Sequence, residues 1–204
     1  MAASGVDVPR EWRAALPAGV GLRDREDEDL SFLCLLYAQT REEELRPVGW
    51  PAQQKEEFLR DQFGKQHSHY LKHYPRARWW IVTRDGNPVG RLYVDQTAAE
   101  LRVMDISLLA PDRNRGLGGA LMRGLLRHAD GEGLAATLHV EPFNPALRLY
   151  RRLGFVRVET RGVYEFMRRE PGATSVEDDF VARADGVPAD RHQEQIESPV
   201  RGVE

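Results

Sequence analysis

The 204-residue chain predicts a single domain of the α/β (α+β) class, a mixed, largely antiparallel sheet flanked by helices, and three observations carry that expectation. Apolar residues recur with a period near 3.6 in some stretches and near 2 in others, which disfavours a pure bundle or a pure sandwich. Turn dipeptides such as Asp85-Gly86 and Asn87-Pro88 punctuate β-rich runs in mid-chain. A composition of 41% hydrophobic and 30% charged residues with a formal net charge of −3 suits one globular unit, large enough to hide roughly 70% of the surface its unfolded chain exposes.

Taken in order, residues 1–18 read as an N-terminal extension, and Val20 to Arg23 as a short extended stretch. The acid-rich Asp24 to Asp29 suits a helix start, after which Leu30, Leu33, Cys34 and Tyr37 follow the i, i+3, i+4, i+7 rule. Phe32, Leu35 and Leu36 make that helix apolar on a second face, so it is expected to be buried on both sides or to pack on a partner. A second helix opens at Pro51, carries Phe58, Leu59, Phe63, Tyr70 and Leu71, and ends before Pro75. Trp79 to Thr83 and Val89 to Asp95 form a hairpin about the turn Arg84 to Pro88, and Glu100 to Leu109 is a third strand antiparallel to it. A glycine-rich turn leads into a helix from Gly116 to Ala129 with Leu117, Leu121 and Leu125 on one face, followed by a strand from Ala136 to Glu141. Asn144-Pro145 starts a short helix that Gly154 ends, and a hairpin of Phe155 to Thr160 and Val163 to Arg168 closes a domain spanning residues 19–170.

The remaining residues, 171–204, hold eight acids against three arginines, which leaves 24 acids and 26 bases in the rest of the chain. With few large apolar side chains and no sustained period, this acidic tail cannot offset its ordering entropy and is expected to be disordered. Its alternative reading is an interaction arm. Balanced charge and the lack of basic runs interleaved with aromatics argue against a nucleic-acid partner. The longest apolar run, Phe32 to Ala38, is too short to span a membrane, and Met1 to Arg10 lacks a secretory pattern. A lone Cys34 within that run reads as a small buried hydrophobe, so a cytoplasmic location is expected.

The segment from Leu108 to Ala120 joins an apolar strand to an amphipathic helix. Glycines at such a junction let backbone N–H groups approach a ligand, the helix N-terminus adds partial positive charge, and Arg113 and Arg115 offer bidentate anion donors. This is the chemistry of a pyrophosphate cradle, against the alternative of a tight turn with two solvated arginines. No Lys-Ser/Thr follows Gly118 or Gly119, which disfavours a Walker loop. The antiparallel strands before the turn disfavour a dinucleotide fingerprint.

Arg113-x-x-Gly116-x-Gly118 resembles the (Gln/Arg)-x-x-Gly-x-(Gly/Ala) acyl-CoA motif of the GNAT superfamily of N-acetyltransferases. The later run Asn144-Pro145-Ala146-Leu147-Arg148-Leu149-Tyr150-Arg151-Arg152-Leu153-Gly154-Phe155 is similar to that family's second signature. The resemblance covers about Val20 to Arg169, with Pro111 one place later than the usual proline. It implies a GNAT-like splayed sheet, acetyl-CoA as cosubstrate, an amine of a small molecule or of a peptide or protein as acceptor, and direct transfer between them without a metal. It further implies that pyrophosphate rests on Arg115, Gly116, Leu117, Gly118, Gly119 and Ala120, and that pantetheine pairs with the strand edge at Leu108 and Leu109. A main-chain N–H near Leu109 is then the oxyanion donor. Asn144 positions the pantetheine arm and Tyr150 protonates the departing sulfur. Each of the last two has a structural alternative, Asn144 as a helix cap and Tyr150 as a packing residue.

For the base that deprotonates the amine, Asp105 interrupts an apolar strand, while His139 and Glu141 share one face of the neighbouring strand. Structural pairing, for instance of Asp105 with an arginine, and proton transfer through water are the alternatives. Arg41-Glu42-Glu43-Glu44 falls where the family's acceptor wall lies, and reads either as a charge filter for cationic amines or as a solvated turn. His67, His69 and His73 read as a polar helix face rather than a metal site. The other-class alternative is a non-catalytic acyl-CoA sensor or assembly module. A homodimer is left open.

Overall fold

The computed structural model describes residues 8–173, so the expected disorder of the acidic tail concerns residues that lie, from 174 on, outside the described ones. The elements are α1 (Arg10–Ala15), β1 (Val20–Asp24), α2 (Leu30–Leu45), α3 (Ala52–His73), β2 (Arg78–Arg84), β3 (Asn87–Gln96) and β4 (Glu100–Leu108). After them come α4 (Leu117–Gly131), β5 (Ala135–Val140), α5 (Leu147–Arg152), β6 (Val156–Arg161) and β7 (Tyr164–Arg169). The strands form one seven-stranded sheet in the order β1-β2-β3-β4-β5-β7-β6, antiparallel throughout except between β4 and β5.

Local chemistry accounts for most of these elements. The β2–β3 hairpin turns on Asp85 and Gly86, both at positive φ (49° and 82°), the conformation that matches the twist of the flanking strands. It is tighter than the five-residue turn expected, because β3 already begins at Asn87. Pro88, which has no N–H to donate, sits beside a register shift between Val82 and Thr83. In α4 the side chains of Leu117, Leu121, Met122 and Leu125 are buried against one face of the sheet, together with Val103 and Leu138.

The other face carries a smaller core in which Leu33 and Tyr37 of α2 and Phe63 of α3 meet Ile81 and Tyr93. Helix α2 is not buried on both sides by the described residues. Leu33 and Leu36 are fully buried, but Leu35 remains 55% exposed and Leu30 lies open to solvent. A further departure is α1, which the sequence reading did not foresee. Trp12 is buried and packs edge-on against Trp80 with ring centroids 4.7 Å apart. Gly124 of α4 makes the room: a Cβ there would lie 3.0 Å from the Trp12 Cα and 3.1 Å from the Ala15 Cβ.

The feature that positions the site is a fork in the sheet. Pairing between the parallel strands runs only from Glu100↔Ala135 to Val103↔Leu138, after which β4 and β5 continue without each other. At the same level β4 carries a bulge: Tyr93 pairs with Asp105 and Val94 with Val103, leaving Met104 as the extra residue. The C-terminal ends of β4 and β5 therefore border an open gap. One leads into α4 and the other into α5.

Candidate functional site

The floor of the site is the start of α4. Gly116 stands at φ 81°, a left-handed value that only glycine adopts without strain, and it turns the chain into the helix. The first helical bond runs from the Ala120 N–H to the Gly116 carbonyl at 2.9 Å. The N–H groups of Leu117, Gly118 and Gly119 precede it, and no side chain caps them. A Cβ on Gly116 would meet nothing within 4 Å, and one on Gly118 only Leu149 at 3.9 Å, so the glycines leave open space above these amides. The arrangement suits a phosphate group by both direction and dipole.

The two arginines of the turn differ. Arg115 is exposed, whereas Arg113 folds inward: its Nε donates to the Leu108 carbonyl at 2.7 Å and its Nη2 is buried without a partner. A buried guanidinium nitrogen left unsatisfied beside the gap fits an acceptor oxygen supplied by a ligand. Asp112, which sequence reasoning passed over, is buried and accepts from Arg84 Nε at 2.8 Å, tying the turn to β2. The partners lie 28 positions apart, so no local pattern marks the bond.

The wall of the gap on the β4 side corrects one expectation. The Leu109 N–H donates to the Val89 carbonyl at 2.8 Å and its carbonyl accepts from the Asp112 N–H at 2.9 Å, so the Leu109 N–H is not free to donate to an oxyanion. In an antiparallel ladder the direction alternates residue by residue. Leu109, Ser107 and Asp105 face β3, and Ile106 and Leu108 turn their N–H and C=O groups toward the gap.

Helix α5 forms the opposite wall. Asn144 caps the turn that leads into it: its Oδ1 accepts from the Ala146 N–H at 2.9 Å and its carbonyl from the Leu147 N–H at 3.0 Å. Asn144 thus braces the turn ahead of α5, whose N-cap is Ala146, and its side-chain amide N–H groups are not used in that bond. Leu149 packs next to Gly118 and Gly119, which sets α5 against the cradle. Tyr150 is buried and packs edge-on against Phe155 at 5.9 Å. Burial, and after it the negative charge of Asp105, push its phenol up to about 12, so it holds its proton at neutral pH.

The three acid–base candidates separate in their surroundings. Asp105 is paired: Arg91 Nε reaches Oδ1 at 3.1 Å and Nη2 reaches Oδ2 at 2.6 Å, with the Asp105 side chain only 14% exposed and that of Arg91 3%. Ser107 Oγ donates to the same Oδ1 at 2.8 Å, and Arg91 Nη2 to Gln66 of α3 at 3.3 Å. His139 lies 5.0 Å from the Phe166 ring, and burial, with Arg161 and Arg102 nearby, pushes its imidazole down to about 4. Glu141 lies just past β5, 3.9 Å from Arg41 of α2, which also reaches Glu44 at 3.0 Å and overlies the Tyr37 ring at 5.6 Å. The run from Arg41 to Glu44 thus lies in the last turns of α2, with Arg41 toward the end of β5. Among the described residues no three His, Cys, Asp or Glu side chains gather as a metal site.

A model of the acetyltransferase (GNAT) family matches residues 37–155. A search of curated proteins found no match. Among solved structures the chain is similar to PaiA N-acetyltransferase from Thermoplasma acidophilum in complex with coenzyme A, with a TM-score of 0.58 and 15% identity over 74% of this chain and 98% of that one. It is similar to an acetyltransferase from Thermus thermophilus, with a TM-score of 0.53 and 22% identity over 74% and 96% of the two chains. A GNAT-family acetyltransferase from Elizabethkingia anophelis with acetyl-CoA bound gives a TM-score of 0.51 and 12% identity over 76% and 99%. At such identities the likeness is one of fold.

Proposed function

The chain belongs to the acetyltransferase (GNAT) family, and from that premise we propose that it transfers an acetyl group from acetyl-CoA directly to an amine of a small molecule, peptide or protein. The observation that carries this reading is the fork itself: a strand edge at Ile106 and Leu108 that β5 leaves, its Leu108 carbonyl held by Arg113 Nε, ends beside a helix start with three uncapped amides. An amide-bearing arm adds to such an edge as an extra strand would, and a diphosphate takes the helix start.

In this reading the diphosphate of acetyl-CoA rests on the N–H groups of Leu117, Gly118 and Gly119, with Arg113 and Arg115 beside it and Asn144 facing the pantetheine arm from the α5 wall. The Ile106 N–H, nearest the fork, donates to the thioester carbonyl as negative charge gathers there. Tyr150 meets the departing sulfur. A phenol near pKa 12 gives up its proton to a thiolate whose usual pKa is about 8.5 only uphill, so its contribution is a strong hydrogen bond to the developing charge. Asp105, engaged by Arg91, and His139, a weak base at about 4, are poorly placed to take the amine's proton. In this reading a water molecule takes it. Arg41, paired with Glu44 and 3.9 Å from Glu141, borders the place where the acceptor enters.

Release of free thiol from acetyl-CoA, measured across an amine panel, tests the assignment. Amine-dependent release with acetylated product supports transfer. Saturable CoA binding with no release across a broad panel would instead favour a sensor.

A further inference from the structure

Three polar side chains lie directly behind the gap-facing strand edge. Asp105 and Ser107 flank Ile106 on β4 and project from the same face of the strand, with Ser107 Oγ donating to Asp105 Oδ1 at 2.8 Å. Arg91, the register partner of Ser107 on β3, closes on Asp105 from across the ladder through two hydrogen bonds of 3.1 and 2.6 Å. Gln66 of α3 accepts from the same guanidinium at 3.3 Å, tying the group to the helical layer. The unit sits immediately past the Met104 bulge, where β4 has lost its β5 neighbour.

A strand with one free edge and a bulge at its root is the part of a sheet most prone to twist and fray, since only one ladder holds it. A buried ion pair is not needed for stability there, because apolar residues of like volume commonly serve as well or better. What a bidentate pair with a third hydrogen bond does supply is a fixed direction for the backbone between its anchor points. That backbone is Ile106.

Resting on the reading above that an acyl-CoA arm adds to this edge, we propose that Arg91, Asp105 and Ser107 form a clip that holds the Ile106 edge in register for the pantetheine arm, making Asp105 a positioning residue and not the base. The clip acts on the arm alone. The diphosphate contacts belong to α4, which the clip does not touch.

Two ligands separate these contributions: CoA, which carries the arm, and adenosine 3′-phosphate 5′-diphosphate, which lacks the arm and keeps the diphosphate. Calorimetric titration of the full-length wild type should show binding of both. In Ser107→Ala, which removes one hydrogen bond and leaves the ion pair in place, CoA affinity should fall about fivefold, the effect of a typical single bond. In Asp105→Asn it should fall by more than about tenfold, while the affinity of both variants for adenosine 3′-phosphate 5′-diphosphate stays within about twofold of wild type. Thermal melting identifies an Asp105→Asn protein that does not fold, in which case Ser107→Ala decides alone. Variants that bind CoA like wild type, or that lose both ligands in equal proportion, would overturn the clip and leave the functional assignment standing. A wild type that binds neither ligand would overturn that assignment, and the clip with it.

Discussion

Replacing Tyr150 with Phe isolates one oxygen atom. The ring packs edge-on against Phe155 at 5.9 Å and is buried, and phenylalanine keeps both the contact and the volume. A volume-conserving change of this kind should shift Tm by no more than about 2 °C. The hydroxyl, held protonated by burial, is proposed to hydrogen-bond the sulfur only as charge leaves the thioester. A hydrogen bond to a charged group is worth about 1.5–3 kcal/mol, which translates to a fall in kcat of about 10- to 150-fold. Because the bond strengthens only in the transition state, CoA affinity should change by less than about twofold. Thiol-release kinetics at saturating acceptor measure the first quantity and calorimetry the second. A kcat within about threefold of wild type would remove Tyr150 from the chemistry. A parallel loss of kcat and CoA affinity would make it a ground-state contact.

Other perturbations test other joints of the account. Gly118→Leu has room in the free protein, where Leu149 is 3.9 Å from the position of its first side-chain carbon, yet it covers the amides beside it; CoA affinity should fall at least about tenfold by calorimetry with Tm nearly unchanged. Gly124→Leu drives a side chain into the Trp12 backbone, 3.0 Å from the position of its Cβ, and should destabilise the fold by about 2–3 kcal/mol while raising the exposure of Trp12, read by denaturant unfolding and by tryptophan quenching. His139 supplies a pH effect. Its folded-state pKa of about 4 lies below the unfolded value near 6.5, so the unfolded chain takes up the extra proton as pH falls between these values and stability drops through that window. After allowance for partial exposure the loss between pH 7.5 and 5.5 is below about 1 kcal/mol, and urea unfolding of His139→Gln should show that part of the pH dependence gone.

Much of this could be read from the chain because it rests on local chemistry. Asp85-Gly86 marks its hairpin, and Gly116 to Gly119 mark the start of α4, since both depend on backbone conformations or approaches that glycine serves. The leucines of α4 and the Asn144-Pro145 turn announced themselves by period and by capping chemistry. What stayed hidden was set by partners distant in sequence. Asp105 was visible as an acid in an apolar strand, but nothing in the sequence distinguishes a base from a residue clamped by Arg91 14 positions away. The role expected of Leu109 failed for a related reason. A bulge at Met104 and the β3 ladder decide which backbone groups face the gap, and neither leaves a signature in residue types. Helix α1 is only six residues long and takes its stability from Trp12 against Trp80, a contact between opposite parts of the chain. The exposed Leu30 and Leu35 of α2 likewise show that apolar character on a second face does not mean that the described residues of the chain cover it.

The most direct test of the account is a crystal structure of the protein grown with CoA. The diphosphate should lie within hydrogen-bond reach of the Leu117, Gly118 and Gly119 amides, the pantetheine amides against Ile106 and Leu108, and the sulfur near Tyr150. Electron density for the coenzyme along another strand, or none between β4 and β5, would contradict this placement.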